Sequence, residues 1–250
     1  SGLVGSEMCI RDRVVKLALD QEDGAAAERA SRELLRIDPA KPEYQMLRGR
    51  VLAHAGNADD ARKAYQEAIR LRNNNYPEAW YNLGLLERDA HQTDAAIAAY
   101  NQAIAQKADY EEAWNNLGLV YFDADRHDEA VQAFQKALAI SADYGAAWNN
   151  LGRTYAAANK YAEAVDAFEH ALKANPDNRT IRLRLAAAYR KTGQASHAIE
   201  LYRALVKDEP RYVSAWYNFG IALSADGKDD EARTAYLTAL GIDPSHRASL

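Results

Sequence analysis

Cysteine is all but missing from this chain: Cys9 stands alone among 250 residues. One thiol can neither close an intrachain disulfide nor build a thiolate metal site. Long apolar runs are missing as well, and none approaches the roughly 20 residues that a membrane span needs. There is no surplus of positive charge, since 31 Lys and Arg face 36 Asp and Glu for a net charge of −5. Phosphate binding needs a basic surface, so nucleic acid is not expected as a partner. Only 6 Pro and 13 Gly interrupt the chain. Together with heavy use of Ala, that scarcity favours helix over sheet.

Constellations of chemistry are absent too. There is no Gly-rich phosphate loop, no Gly-x-Ser-x-Gly elbow and no His-Glu-x-x-His. The six histidines (His54, His91, His127, His170, His197 and His246) never pair at i+3 or i+4, so no metal site is expected. Acidic pairs such as Glu111-Glu112 and Asp229-Asp230 fall at expected helix starts, where the helix dipole favours negative charge. The chain is therefore read as a non-enzyme, with no catalytic residues, metal or cofactor.

What the sequence does have is a repeat. Trp80, Trp114, Trp148 and Trp216 are spaced by 34, 34 and 68 residues. Each opens the same phrase, as in Ala113-Trp114-Asn115-Asn116-Leu117-Gly118 and Ala215-Trp216-Tyr217-Asn218-Phe219-Gly220. A second phrase follows at fixed offset: Ala96, Tyr100, Ala103; Ala130, Phe134, Ala137; Ala164, Phe168, Ala171; Ala232, Tyr236, Ala239. Pro39, Pro176, Pro210 and Pro244 recur at repeat ends. This pattern resembles the tetratricopeptide repeat (TPR) family. The resemblance implies an all-α fold, a right-handed superhelical solenoid of about seven helix-turn-helix units. The frames are 8–41, 42–76, 77–110, 111–144, 145–178, 179–212 and 213–246. The second frame is one residue longer, with the excess placed in Asn73-Asn74-Asn75.

Each frame reads as helices A and B. On helix A, repeat positions 4, 7, 8 and 11 share one stripe at about 100° per residue. Trp at position 4 is expected to fill a hole in the core, its truncation costing roughly 3–5 kcal/mol. Gly at position 8 should let helix B approach. Position 15 joins the helices and holds Glu22, Gly56, His91, Asp125, Asn159, Gly193 and Gly227. All but the first are types suited to left-handed backbone, as a tight helix-ending turn requires. Two departures stand out. Arg182 replaces Trp in frame 179–212. Glu87 occupies a core-stripe position and is expected to be partly exposed, reaching an arginine such as Arg48 or Arg50, or else to be a functional acid.

Positions 5, 6, 9 and 12 of helix A project away from the core and should line a concave groove. The groove residues read from these columns are Tyr81, Asn82, Asn115, Asn116, Phe122, Asn149, Asn150, Arg153, Arg184, Arg190, Tyr217 and Asn218. The position-6 column of asparagines is the most suggestive, because an amide both donates and accepts and so can grip a peptide backbone. The TPR segment of O-linked N-acetylglucosamine transferases looks similar, and that resemblance implies such a role for Asn82, Asn116, Asn150 and Asn218. The alternative is that these amides bond to the neighbouring repeat. Glu78, Glu112, Asp123 and Asp125 make the middle acidic, whereas Arg153, Arg184, Arg190 and Lys191 make the later part basic, which would orient a charged peptide. The columns lack the lysines by which chaperone-binding TPR domains hold a C-terminal carboxylate.

The expected function is an interaction scaffold that binds an extended peptide or a partner's helix. The alternative is the targeting segment of a larger enzyme, such as a glycosyltransferase. Residues 1–13 resemble a translated transposase mosaic-end adapter, and are expected to be a non-native leader on a bacterial fragment of metagenomic origin. Residues 247–250 are expected to begin a truncated or capping helix, with self-association through that end. Compartment, cytoplasm or periplasm, is not readable.

Overall fold

The computed structural model describes residues 23–244. The expected leader at 1–13, Cys9, Glu22, the first frame's helix A and residues 247–250 lie outside them. Thirteen α-helices and no strand occur among the described residues. They form two compact units, divided between Ala124 and Asp125. The first holds α1 (Gly24–Ile37), α2 (Pro42–His54), α3 (Ala58–Leu71), α4 (Pro77–Asp89), α5 (Thr93–Gln106) and α6 (Glu111–Asp123). The second holds α7 (His127–Ile140), α8 (Gly145–Ala157), α9 (Tyr161–Ala174), α10 (Arg179–Lys191), α11 (Ala195–Asp208), α12 (Val213–Ala225) and α13 (Asp229–Ile242).

Local chemistry starts and stops these helices. Pro42 and Pro77 open α2 and α4, where a missing N–H costs nothing. Asn178 caps α10, its side chain accepting from the N–H groups of Thr180 and Ile181, both at 3.1 Å. The A helices end in left-handed residues: Gly56 (φ 77°), His91 (56°), Asp125 (57°), Asn159 (60°), Gly193 (78°) and Gly227 (75°). The following N–H then closes back on the helix, as in Gln92 N–H to Glu87 O and Lys160 N–H to Tyr155 O, both 2.8 Å. Asn73 (51°) and Asn74 (63°) are also left-handed, so the extra residue of the second frame sits in a turn made by asparagine's tolerance of this region.

Consecutive helices pack against one another along each unit. The cores are built on a glycine–aromatic contact. A Cβ on Gly49, Gly84, Gly152 or Gly220 would come within 2.5, 2.7, 2.7 or 2.5 Å of the ring of Tyr65, Tyr100, Phe168 or Tyr236. Ala61, Ala96, Ala164 and Ala198 on the B helices are wholly buried.

Two expectations need correction. The deepest aromatics are Tyr100, Phe134, Phe168 and Tyr202, at 0–1 % exposure, whereas Trp80, Trp114, Trp148 and Trp216 are only half-buried. The tryptophans work at the turns instead. Their indole N–H groups donate to the carbonyls of Asn74, Ala108, Ala142 and Pro210, six residues earlier, at 2.8–3.2 Å. Arg182 makes the same bond, Nε–H to the Pro176 carbonyl at 3.0 Å, and adds an ion pair to Asp208 at 3.0 Å. Arginine therefore replaces tryptophan there without losing the tie to the turn.

Glu87 is buried at 5 % exposure and pairs with Arg62 of α3, not with Arg48 or Arg50. Arg62 Nε and Nη2 grip its two oxygens at 2.6 and 3.1 Å. Arg48 bonds Glu28 instead.

Candidate functional site

Helices of the A type also touch the next A helix: α2 with α4, α4 with α6, and α10 with α12. Side chains at matching positions of these helices consequently form short rows within each unit.

In the first unit the rows hold Tyr81, Asn82, Asn115, Asn116 and Phe122. Tyr81 is half-buried, its ring tilted against Tyr100 at 5.9 Å and Tyr110 at 5.0 Å between centroids. Burial, with the nearby Glu112 charge, pushes its hydroxyl pKa up. Asn115 and Asn116 are buried at 5 and 9 % exposure. The Asn116 amide is heavily used. Nδ2 donates to the Tyr81 hydroxyl at 3.1 Å and to the Glu112 carbonyl at 2.8 Å, and Oδ1 accepts from Arg88 Nη1 at 2.6 Å. The bonds with Tyr81 and Arg88 join α4 to α6. Asn82 is half-exposed and donates once, to the Glu78 carbonyl on its own helix at 2.7 Å. Phe122 is half-buried. Of the acidic set, Glu78, Glu112 and Asp123 lie exposed in this unit.

The second unit holds Asn149, Asn150, Arg153, Arg184, Arg190, Tyr217 and Asn218. Arg184 is half-buried and donates from Nη1 to Asn149 Oδ1 at 2.8 Å, bridging α10 to α8. Burial, then the positive charge of Arg153, hold its guanidinium pKa below the ordinary value. Asn150 is buried at 8 % exposure and its Oδ1 accepts from Arg153 Nη1 at 3.2 Å. Arg190, in the last turn of α10, is half-buried near Tyr202 and Tyr236. Tyr217 is half-buried with its ring 5.9 Å from Tyr236, and Asn218 donates to the Ser214 carbonyl at 2.8 Å. Asp125 is spent on the turn before α7.

One group escaped the sequence columns, which were read only from frame 77–110 onward. Extending positions 9 and 12 back one frame reaches Arg50 and Ala53 on α2. These line a cavity of about 550 Å³ with Asn82, Leu85 and Asp89 of α4. A second cavity of about 650 Å³ lies among α7, α8 and α9, lined by Leu138, Trp148, Leu151 and Tyr155. Trp148 there stacks on His170, 4.3 Å between centroids and 14° between planes. Among the described residues no three His, Cys, Asp or Glu side chains gather as a metal site. No described helix is long and apolar enough to cross a membrane.

No curated protein matches the chain. Among solved structures, the C-terminal part of a TPR repeat-containing protein from Cytophaga hutchinsonii is 16 % identical with a TM-score of 0.79, over 95 % of this chain and 97 % of that one. MamA is 28 % identical with a TM-score of 0.58, over 70 % and 96 %. YrrB, a TPR protein with an unusual peptide-binding site, is 21 % identical with a TM-score of 0.69, over 75 % and 96 %. Profiles described as tetratricopeptide repeat match residues 109–177 and 155–210, and one described as TPR repeat matches 84–125. A further tetratricopeptide repeat profile matches 15–76 and 183–247, half of the chain by itself. With these profile matches, and with glycine–aromatic packing and left-handed turns recurring at multiples of about 34 residues, the chain belongs to the tetratricopeptide repeat family.

Proposed function

We propose that this chain is a non-catalytic scaffold that binds an extended peptide along its A helices. One observation carries the reading: adjoining A helices touch, so their outward side chains make rows of half-exposed amide, aromatic and arginine groups. Such rows offer hydrogen bonds at steps along a peptide backbone together with aromatic surface, the mixture that recognition sites use. The amides divide the labour. Asn116 and Asn150, buried and bonded inside the chain, brace the rows, while Asn82 and Asn218, half-exposed, keep carbonyl oxygens for a ligand.

The test is selection of phage-displayed random dodecapeptides on the purified chain, followed by fluorescence polarisation with the enriched sequences. Binding should fall by about tenfold or more in Tyr217→Ala or Leu85→Arg. It should persist in Lys136→Glu and Glu200→Lys, exposed on B helices. Failure of any peptide to enrich, or loss of binding only in the B-helix variants, would refute the proposal.

A further inference from the structure

Asn82 and Asn116 occupy the same position in successive repeats but meet different neighbours. Asn116 finds Tyr81 and Arg88 on the preceding A helix. The residues that stand in those places before Asn82 are Met46 and Ala53, and neither side chain can serve an amide. Asn82 therefore keeps only its bond to the Glu78 carbonyl, and its oxygen is uncommitted among the described residues. The same change makes room: Ala53, Gly56 and Ala58 are small, and the cavity of about 550 Å³ opens beside them.

Arg50 lines that cavity. It is half-buried, and no hydrogen bond or ion pair holds it among the described residues. The other half-buried arginines of this unit are all engaged: Arg48 by Glu28, Arg62 by Glu87, and Arg88 by Asn116 and Asp89. Asp89 also lines the cavity, but its Oδ1 accepts from Arg88 Nε at 3.3 Å and Nη2 at 3.1 Å. The uncommitted charge of the cavity is thus positive. A half-buried guanidinium has lost part of its hydration, and a planar fork of donors matches a carboxylate two bonds at a time.

We infer that the cavity between α2 and α4 is a specificity pocket for an acidic side chain within the bound peptide. Arg50 takes the Asp or Glu carboxylate, the Asn82 oxygen accepts a backbone N–H of the same peptide, and Leu85 carries a neighbouring apolar residue. The inference rests on the peptide-binding reading and names what that site prefers.

The probe is an array of nine-residue alanine peptides, acetylated and amidated, carrying every residue pair at the two central positions. A duplicate set ends in a free carboxylate. Labelled wild-type chain should retain Glu or Asp beside Leu, Ile, Met or Phe at least about tenfold above the Gln or Asn counterparts. Arg50→Gln should abolish that ratio and Arg50→Lys should reduce it, both melting as the wild type does by circular dichroism. Lys136→Gln, an exposed charge on α7 away from the A helices, should leave it intact. Retention without acid preference, acid preference that survives Arg50→Gln, or preference only for free C-termini would each overturn the pocket while leaving peptide binding in place. Retention of no peptide at all would remove the pocket and the scaffold reading together.

Discussion

Replacing Arg62 by Met isolates Glu87, the one buried carboxylate among the described residues. Glu87 is 5 % exposed, and both its oxygens rest on the Arg62 guanidinium. Removing one partner of a buried pair costs about 3–5 kcal/mol, because the other charge is left without compensation. The Arg62 side chain is 28 % exposed, so water reaches the site and about 2–3 kcal/mol is expected here. A chain of two units need not unfold in one step, which makes a local assay preferable. Hydrogen exchange read by mass spectrometry over α3 and α4 should speed by about 30- to 150-fold. The double variant Arg62→Met with Glu87→Leu should recover to within about 1 kcal/mol of wild type, since two matched apolar groups replace the ion pair. Exchange within threefold of wild type for the single variant, or no recovery in the double, would show that the pair is not what holds this turn of α4.

Other substitutions test the packing and the turns. Gly152→Ala drives a methyl to 2.7 Å from the Phe168 ring and should cost about 1–3 kcal/mol in urea melts. Gly241→Ala, with nothing within 4 Å, should instead gain up to about 1 kcal/mol. His91→Gly relieves a left-handed residue at φ 56° and should raise the melting temperature, whereas Gly56→Ala, at φ 77°, should lower it. Trp148→Phe keeps an aromatic ring, though a smaller one, and loses the bond to the Ala142 carbonyl at 2.8 Å, for at least about 1 kcal/mol. Stability should also depend on acid through Glu28, whose pKa is lowered chiefly by its hydrogen bond from Arg48. The contribution is present above the ordinary value of 4.5 and is lost as pH falls through the lower folded value. The stability gap between wild type and Glu28→Gln should therefore narrow as urea melts are repeated from pH 5 downward.

Some features were legible because a single residue type answers a single steric demand. Glycine facing an aromatic ring leaves no room for a Cβ, and a left-handed turn admits few residue types, so Gly84 with Tyr100 and the six turn positions could be read directly. What was not legible depends on several side chains at once. The partner of Glu87 comes from a B helix 25 residues away, outside the columns that compare A helices. The depth of Trp114 is set by its neighbours, and its N–H is drawn to the Ala108 carbonyl at the surface. Whether an asparagine in the position-6 column is spent or open turns on two residues of the preceding repeat: Tyr81 and Arg88 consume Asn116, while Met46 and Ala53 leave Asn82. Spacing places side chains in columns, but not the hydrogen bonds that those columns have left to give.

Within each unit, the substantial packing joins helices that are neighbours or next-but-one along the chain. Mechanical load applied at the two ends is therefore not shared across distant strands, and the molecule should yield as a series of small catches. Each catch would release one pair of helices, lengthening the chain by about 11 nm for 34 residues at full extension. Extension should then proceed in steps, and a ligand spanning two helix pairs within a unit should raise the force that each step needs.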